Sequence, residues 1–357
     1  MDHHDTNIKN ILVEHLKMYP LMRLEDVIKL LYQHEFGAEH FIDDENAVFK
    51  RIHEEYTLQE HSSKRLFEKL SNDHYRLYFD HPSIKQYHLK TITKAFVRSS
   101  TNITGNTESF KAKLEVLKEL PKSMKLPFSY VELEDFLNTY EKAGYPAVSH
   151  SDVYKENYHP HYRLVNKDFK DFFEVFSAID ALVQSKKNIH VAIDGMCGSG
   201  KSYLASLLAE YYDCNVIRMD DFFLQKHQRT PKRYSEAGGN IDYVRFNEEV
   251  VKGLLLDEIF NYQAFDCQKM QLDRIITIHP KKLTIIEGSY SMHPLFLDFY
   301  DLKVFLKIDP KLQLERIAKR SPTMIQHFID EWIPMEQTYH QAFDLESKSD
   351  ILIEDIA

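Results

Sequence analysis

Through the first 165 residues, apolar side chains return every three or four positions, the spacing that lines one face of a helix. Ile8, Ile11, Leu12 and Leu16 make one stripe, which stops near Pro20; Leu24, Val27, Ile28 and Leu31 make the next. Others run through Leu66, Phe67 and Leu70, and through Phe110, Leu114 and Leu117. Ser129 and Glu132 stand in capping-box spacing ahead of a helix through Leu133, Phe136 and Leu137. Loops are expected at residues 101–107 and 121–127. The pattern predicts an all-α domain over residues 1–165 and a second domain over 166–357. In the second, Phe169, Phe172, Phe173, Phe176 and Ile179 share a helical face that packs against a sheet beginning at Asn188.

From Asn188 the rhythm changes. Strand candidates NIHVAI, NVIRM, RIITI, KLTIIE, LKVFLKI and DILIE alternate with helix candidates at residues 201–212, 243–260 and 311–320. Such alternation predicts an α/β domain with a mostly parallel sheet flanked by helices.

The turn after the first of these strands carries the strongest chemical signal. IDGMCGSGKS (193–202) meets the pattern G-x-x-x-x-G-K-[ST] with Gly195, Gly200, Lys201 and Ser202. Glycines let consecutive amides curl round an anion; the lysine reaches terminal phosphates and the serine hydroxyl can ligate Mg²⁺. A β-branched strand precedes the loop, and KSYLASLLAEYY follows with Leu204, Leu207 and Leu208 at helical spacing. That order aims a helix N-terminus at the phosphates. The predicted ATP-binding segment is Gly195, Met196, Cys197, Gly198, Ser199, Gly200, Lys201, Ser202 and Tyr203. Cys197, beside that helix N-terminus, reads first as a small loop residue and second as a thiol whose thiolate the helix would favour.

Composition narrows the class. The chain has 357 residues, 43% hydrophobic and 28% charged, with a formal net charge of −10. No basic block offsets that charge, which argues against a nucleic-acid partner. No apolar run is long enough to cross a bilayer, and the start resembles no signal peptide. The three cysteines, Cys197, Cys214 and Cys267, lack metal-ligand spacing. A cytoplasmic protein without a membrane partner is expected.

Parallel sheets place function at the carboxyl ends of their strands. There the sequence sets Asp220 and Asp221 after NVIRM, Asp242 in a turn-rich span, and Glu287 after KLTII. Arg316, Lys319 and Arg320 share one face of a later helix. Asp220 is the candidate base, Glu287 with Ser202 the candidate Mg²⁺ contact, and the cations candidates to neutralise a moving phosphoryl group.

These elements, GMCGSGKS, MDDFF, GGNIDYVRF, TIIEGSY and ERIAKR, resemble the uridine kinase and phosphoribulokinase branch of P-loop kinases. The resemblance covers roughly the second half of the chain; the helical half is unrecognised. It implies ATP and Mg²⁺ as cofactors, Asp220 as base toward an acceptor hydroxyl, Asp242 holding vicinal hydroxyls, and Arg316 and Arg320 gathering the ATP phosphates. It also implies a substrate pocket with Phe223 and Tyr262, and homo-oligomerisation. Two positions depart from the family: Phe223 lacks the tyrosine hydroxyl, and Cys267 takes the place of a histidine. The expected function is transfer of the γ-phosphoryl group to a small acceptor, a nucleoside such as uridine or cytidine. The alternatives are pantothenate, glycerate or a sugar phosphate as acceptor, or a non-catalytic ATP-gated switch whose helical half binds protein.

SHSDVYKENYHPHYRLV (149–165) gathers His150, Tyr154, Tyr158, His159, His161, Tyr162 and Arg163. Its H-x-H is a weak metal signal beside a buried polar cluster or a contribution to the acceptor site. Glu39 and His40 in FGAEHF are a further polar pair without assignment.

Overall fold

Helices form at all but one of the predicted stripes. His3–Met18 buries Ile8, Ile11, Leu12 and Leu16, and Leu24–Phe36 buries Val27, Ile28, Leu30 and Leu31. Thr107–Lys118 buries Phe110, Leu114 and Leu117. Tyr130–Lys142 opens on the expected capping box, with Ser129 Oγ accepting from Glu132 N at 3.2 Å and Ser129 N donating to Glu132 Oε2 at 2.7 Å. The computed structural model describes residues 3–38, 44–101, 105–120 and 126–354. Glu39 and His40 lie outside the described residues, as do parts of both expected loops. The chain divides into two compact units, Met1–Phe173 and Glu174–Ala357.

The first unit is helical but not all-α. β1 (Phe67–Lys69), β2 (His74–Tyr78) and β3 (Tyr162–Asn166) make an antiparallel sheet in the order β1-β2-β3. Phe67, taken as part of a helical stripe, starts an edge strand instead. Short strands with interleaved charged residues, such as HYRLY, give no clean alternation to read. This unit buries a polar network: Arg76 donates to Glu68 Oε1 at 2.9 Å and Gln33 Oε1 at 2.8 Å. Tyr19 also donates to Glu68, and His150 bridges Asp26 Oδ1 at 2.9 Å and the Tyr162 hydroxyl at 2.7 Å. His161 and Arg163 both engage Glu55. The histidine-rich stretch therefore serves as internal wiring of this unit.

The phenylalanine stripe divides between two cores. Phe173 meets Phe67 and Phe169 in the first unit, whereas Phe176 packs on Tyr211 in the second.

The second unit holds a five-stranded sheet. Its strands are β4 (Ile189–Gly195), β5 (Cys214–Arg218), β8 (Leu283–Glu287), β9 (Leu302–Lys307) and β10 (Ile351–Glu354), in the order β10-β9-β4-β8-β5. Every neighbouring pair is parallel. β8 is buried along its whole length, as a central parallel strand requires. RIITI departs from the expectation: β7 (Gln271–Ile278) pairs antiparallel with β6 (Phe260–Asp266) as a separate hairpin. β7 is largely exposed, so its β-branched composition marks a strand without saying which sheet it joins.

Candidate active site

The sheet register brings the acidic strand ends together. Glu287 lies opposite both Ile193 of β4 and Arg218 of β5, so the carboxyl ends of three strands meet at one edge. There the chain leaves β4 through the glycine loop and enters the helix Lys201–Tyr211. A Cβ on Gly195 (φ 138°) would stand 2.1 Å from the Leu306 carbonyl oxygen, so only glycine fits. Gly200, at φ 104°, caps the helix N-terminus.

Lys201 is buried and folds back over the loop, donating from Nζ to Gly195 O at 2.7 Å and Met196 O at 2.9 Å. Ser202 Oγ donates to Glu287 Oε2 at 3.0 Å, which joins the two oxygen donors expected at Mg²⁺. The Ser199 hydroxyl is buried in the loop without a hydrogen-bond partner. Such an orphaned group, with the first-turn helix amides, fits a bound polyanion. Magnesium takes oxygen donors and keeps water and phosphate oxygens in its shell, which suits one serine and one carboxylate. Among the described residues, no group of three or more His, Cys, Asp or Glu side chains is arranged to hold a metal.

Asp220 follows β5 in the turn Met219–Phe222. It keeps an exposed surface although protein surrounds it closely. That crowding pushes its pKa up, Lys201 pulls it down, and Asp221 pushes it up again. Burial likewise raises Asp221 and Glu287, against hydrogen bonds from Tyr262 and Ser202 respectively.

The remaining sequence candidates fall into place unevenly. Arg316 Nη1 reaches Gly198 O at 3.3 Å, on the loop itself. Arg320 is exposed and lies 5.8 Å from the Phe328 ring centroid. Asp242 caps the short helix Tyr243–Phe246 and accepts from Gln228 Nε2 at 2.6 Å. Tyr262 is buried against Phe222 and donates to Asp221 Oδ2 at 3.0 Å, so its hydroxyl supports the second aspartate. Phe223 is half-buried and bridges to Ile241. Of the two readings of Cys197, its buried surroundings suit the first, a small residue of the loop. Burial pushes that thiol up to about 12, and the neighbouring Glu336 carboxylate adds to the shift.

Two residues escaped the sequence reading. Asp194, wholly buried just before the loop, accepts from Gly195 N, Tyr290 N, Met292 N and Tyr339 OH at 2.7 to 3.2 Å. Glu336 accepts from Cys197 N at 2.8 Å and from the Ser289 hydroxyl. Asp194 stands in the strand–loop string and could have been singled out as a charge inside an apolar strand. Glu336 lies 136 positions after Gly200 (336 − 200), in a helix whose polar residues look solvated.

No family model matches the chain. It is similar to a solved structure described as a possible uridine kinase from Bacillus stearothermophilus, at 18% identity and TM-score 0.39, covering 50% of this chain and 99% of that one. A second, assigned provisionally as a fructose transport system kinase from Silicibacter sp. TM1040, shows 21% identity and TM-score 0.35 over 47% of this chain and 91% of that one. Shikimate kinase from Bacteroides thetaiotaomicron shows 14% identity and TM-score 0.24 over 46% and 84%. Each of these likenesses covers about half of the chain.

Proposed function

We propose that the chain is an ATP- and Mg²⁺-dependent kinase that transfers the γ-phosphoryl group to a hydroxyl of a small metabolite. The observation that carries this reading is geometric: the glycine loop with Lys201 folded over it, Ser202 joined to Glu287, and the exposed Asp220 in the turn that follows β5. The loop amides and Lys201 hold the triphosphate, and Arg316 with Arg320 supplies further positive charge to it. Ser202 and Glu287 would hold Mg²⁺, which would supply neutralising charge to the phosphate oxygens. Asp220 accepts the acceptor's proton as the hydroxyl oxygen attacks phosphorus, and ADP leaves.

A nucleoside such as uridine or cytidine is the first acceptor proposed, with Asp242 released from Gln228 to hold its vicinal hydroxyls. A second acceptor class is favoured by the cations nearby. Arg274 and Arg218 act on Asp221, and Arg229 acts on Cys267, at the position that departs from uridine kinases. An acceptor bearing a carboxylate or phosphate, such as pantothenate, glycerate or a sugar phosphate, would use that charge.

The test is ADP release from ATP and Mg²⁺ across a panel of nucleosides, hydroxy acids and sugar phosphates. Acceptor-dependent release with a phosphorylated product is expected. ATP binding without product from any acceptor would replace the kinase with a nucleotide-gated switch.

A further inference from the structure

A glutamate on a helix is ordinarily solvated. Glu336, in the helix Ile333–Phe343, is 6% exposed and directs both carboxylate oxygens at the surroundings of the phosphate loop. One accepts the Cys197 amide at 2.8 Å, and the other accepts the Ser289 hydroxyl, itself 3.4 Å from Gly195 O. One turn further along the same helix, the Tyr339 hydroxyl donates to Asp194 Oδ2 at 3.0 Å, and Asp194 Oδ1 accepts Gly195 N at 2.7 Å. A single helix thus holds the loop at its start and at its third residue. Cys197 is held at its carbonyl as well, because Gln313 Nε2 donates to Cys197 O at 2.9 Å. Gln313 belongs to Pro310–Arg320, the helix that also sends Arg316 to Gly198 O.

A carboxylate beside an anion-binding loop opposes the incoming phosphates by charge. It is tolerable where its hydrogen bonds set a geometry that the loop cannot hold alone. With Gly198 and Gly200 both in the left-handed region, the Cys197–Gly200 turn has little intrinsic preference for one shape.

We propose that Glu336 is a positioning residue that fixes the phosphate loop in its anion-binding shape and ties it to the helix Ile333–Phe343. It touches neither acceptor nor phosphate; it acts through the Cys197 amide. Its hydrogen bonds do the work, and its charge does not. The nucleotide arm of the test rests on the kinase reading; the exchange arm does not.

The experiment compares Glu336→Ala and Glu336→Gln in the full chain, with thermal melting as a check that both fold. Gln keeps an oxygen for the Cys197 amide and an NH₂ that Ser289 can accept. Amide exchange of the peptide covering residues 195–200 is measured without nucleotide, and ATP affinity by calorimetry. Glu336→Ala should raise exchange of that peptide about tenfold and weaken ATP by a similar factor, the upper scale of a lost hydrogen bond between neutral groups. Glu336→Gln should stay within about threefold of the parent in both. Parent-like exchange in the alanine variant would overturn the proposal, and so would a glutamine variant as damaged as alanine. If the parent protein bound no ATP, the kinase reading would fail and the exchange arm alone would decide the role of Glu336.

Discussion

Arg76 and Asp220 are both surrounded by protein, and their difference separates architecture from chemistry. Arg76 is 1% exposed and spends its guanidinium on Glu68 and Gln33, while Tyr162 lies beneath it at 4.6 Å. Buried charge in the first unit meets opposite charge, so Glu68 stays below its ordinary range although burial pushes the other way. The protein crowding Asp220 raises its pKa first, Lys201 opposes that rise, and Asp221 and Glu336 add to it. A cluster that satisfies itself holds a fold together. On the kinase reading, one that gathers like charges beside a glycine loop keeps its balance open for a ligand.

The largest effect that could break this contrast is on turnover. Asp220→Asn should lower the rate of ADP release by roughly 10²–10⁴-fold, the usual worth of a general base. The melting temperature should stay the same or rise, because an unfavourably placed charge is removed. Unchanged turnover would strip Asp220 of its role. Arg76→Met should do the reverse. It leaves Glu68 buried without its main partner, which costs about 3–5 kcal/mol in denaturant unfolding. A variant of normal stability would show that the first unit's network is not structural.

A smaller effect sharpens the comparison through pH. Burial lowers His15, His34 and His150 to about 4. Between that value and the ordinary 6.5, the unfolded chain binds more protons than the folded one, so stability rises with pH and is lost on acidification. Asp26, Glu35, Glu55 and Glu68 are also lowered, because their partners outweigh burial, and they act in the same direction. Asp80, raised by burial, opposes them. In the second unit the raised Asp194, at about 6, with Asp220, Asp221 and Glu287, favours the folded state as pH falls. The lowered His190, His293 and His340 offset that gain. Amide exchange corrected for intrinsic rates should therefore lose protection first in peptides of residues 1–173 between pH 7 and 5. Earlier loss in the second unit would refute this balance.

The same comparison explains what could be read from the chain. The glycine loop was legible because its constraint is local: glycines, lysine and serine at fixed spacing between a strand and a helix. The five parallel strands were legible as apolar, β-branched runs. The β6–β7 hairpin was only half legible, since RIITI reads as a strand while its exposure and partner are tertiary facts. The first unit's sheet was missed because β2 and β3 carry His, Arg and Asn among their apolar residues. Arg76 and Glu68 join that unit's core only because residues far apart in sequence satisfy them. Glu336 was invisible for the same reason.

The most direct measurement is a crystal structure with a non-hydrolysable ATP analogue and Mg²⁺. The account predicts that Lys201 Nζ leaves the carbonyls of Gly195 and Met196 for the terminal phosphates, with Ser202 and Glu287 on the metal side and the Asp220 carboxylate facing the γ-phosphate. A nucleotide bound elsewhere, or a γ-phosphate directed away from Asp220, would contradict it.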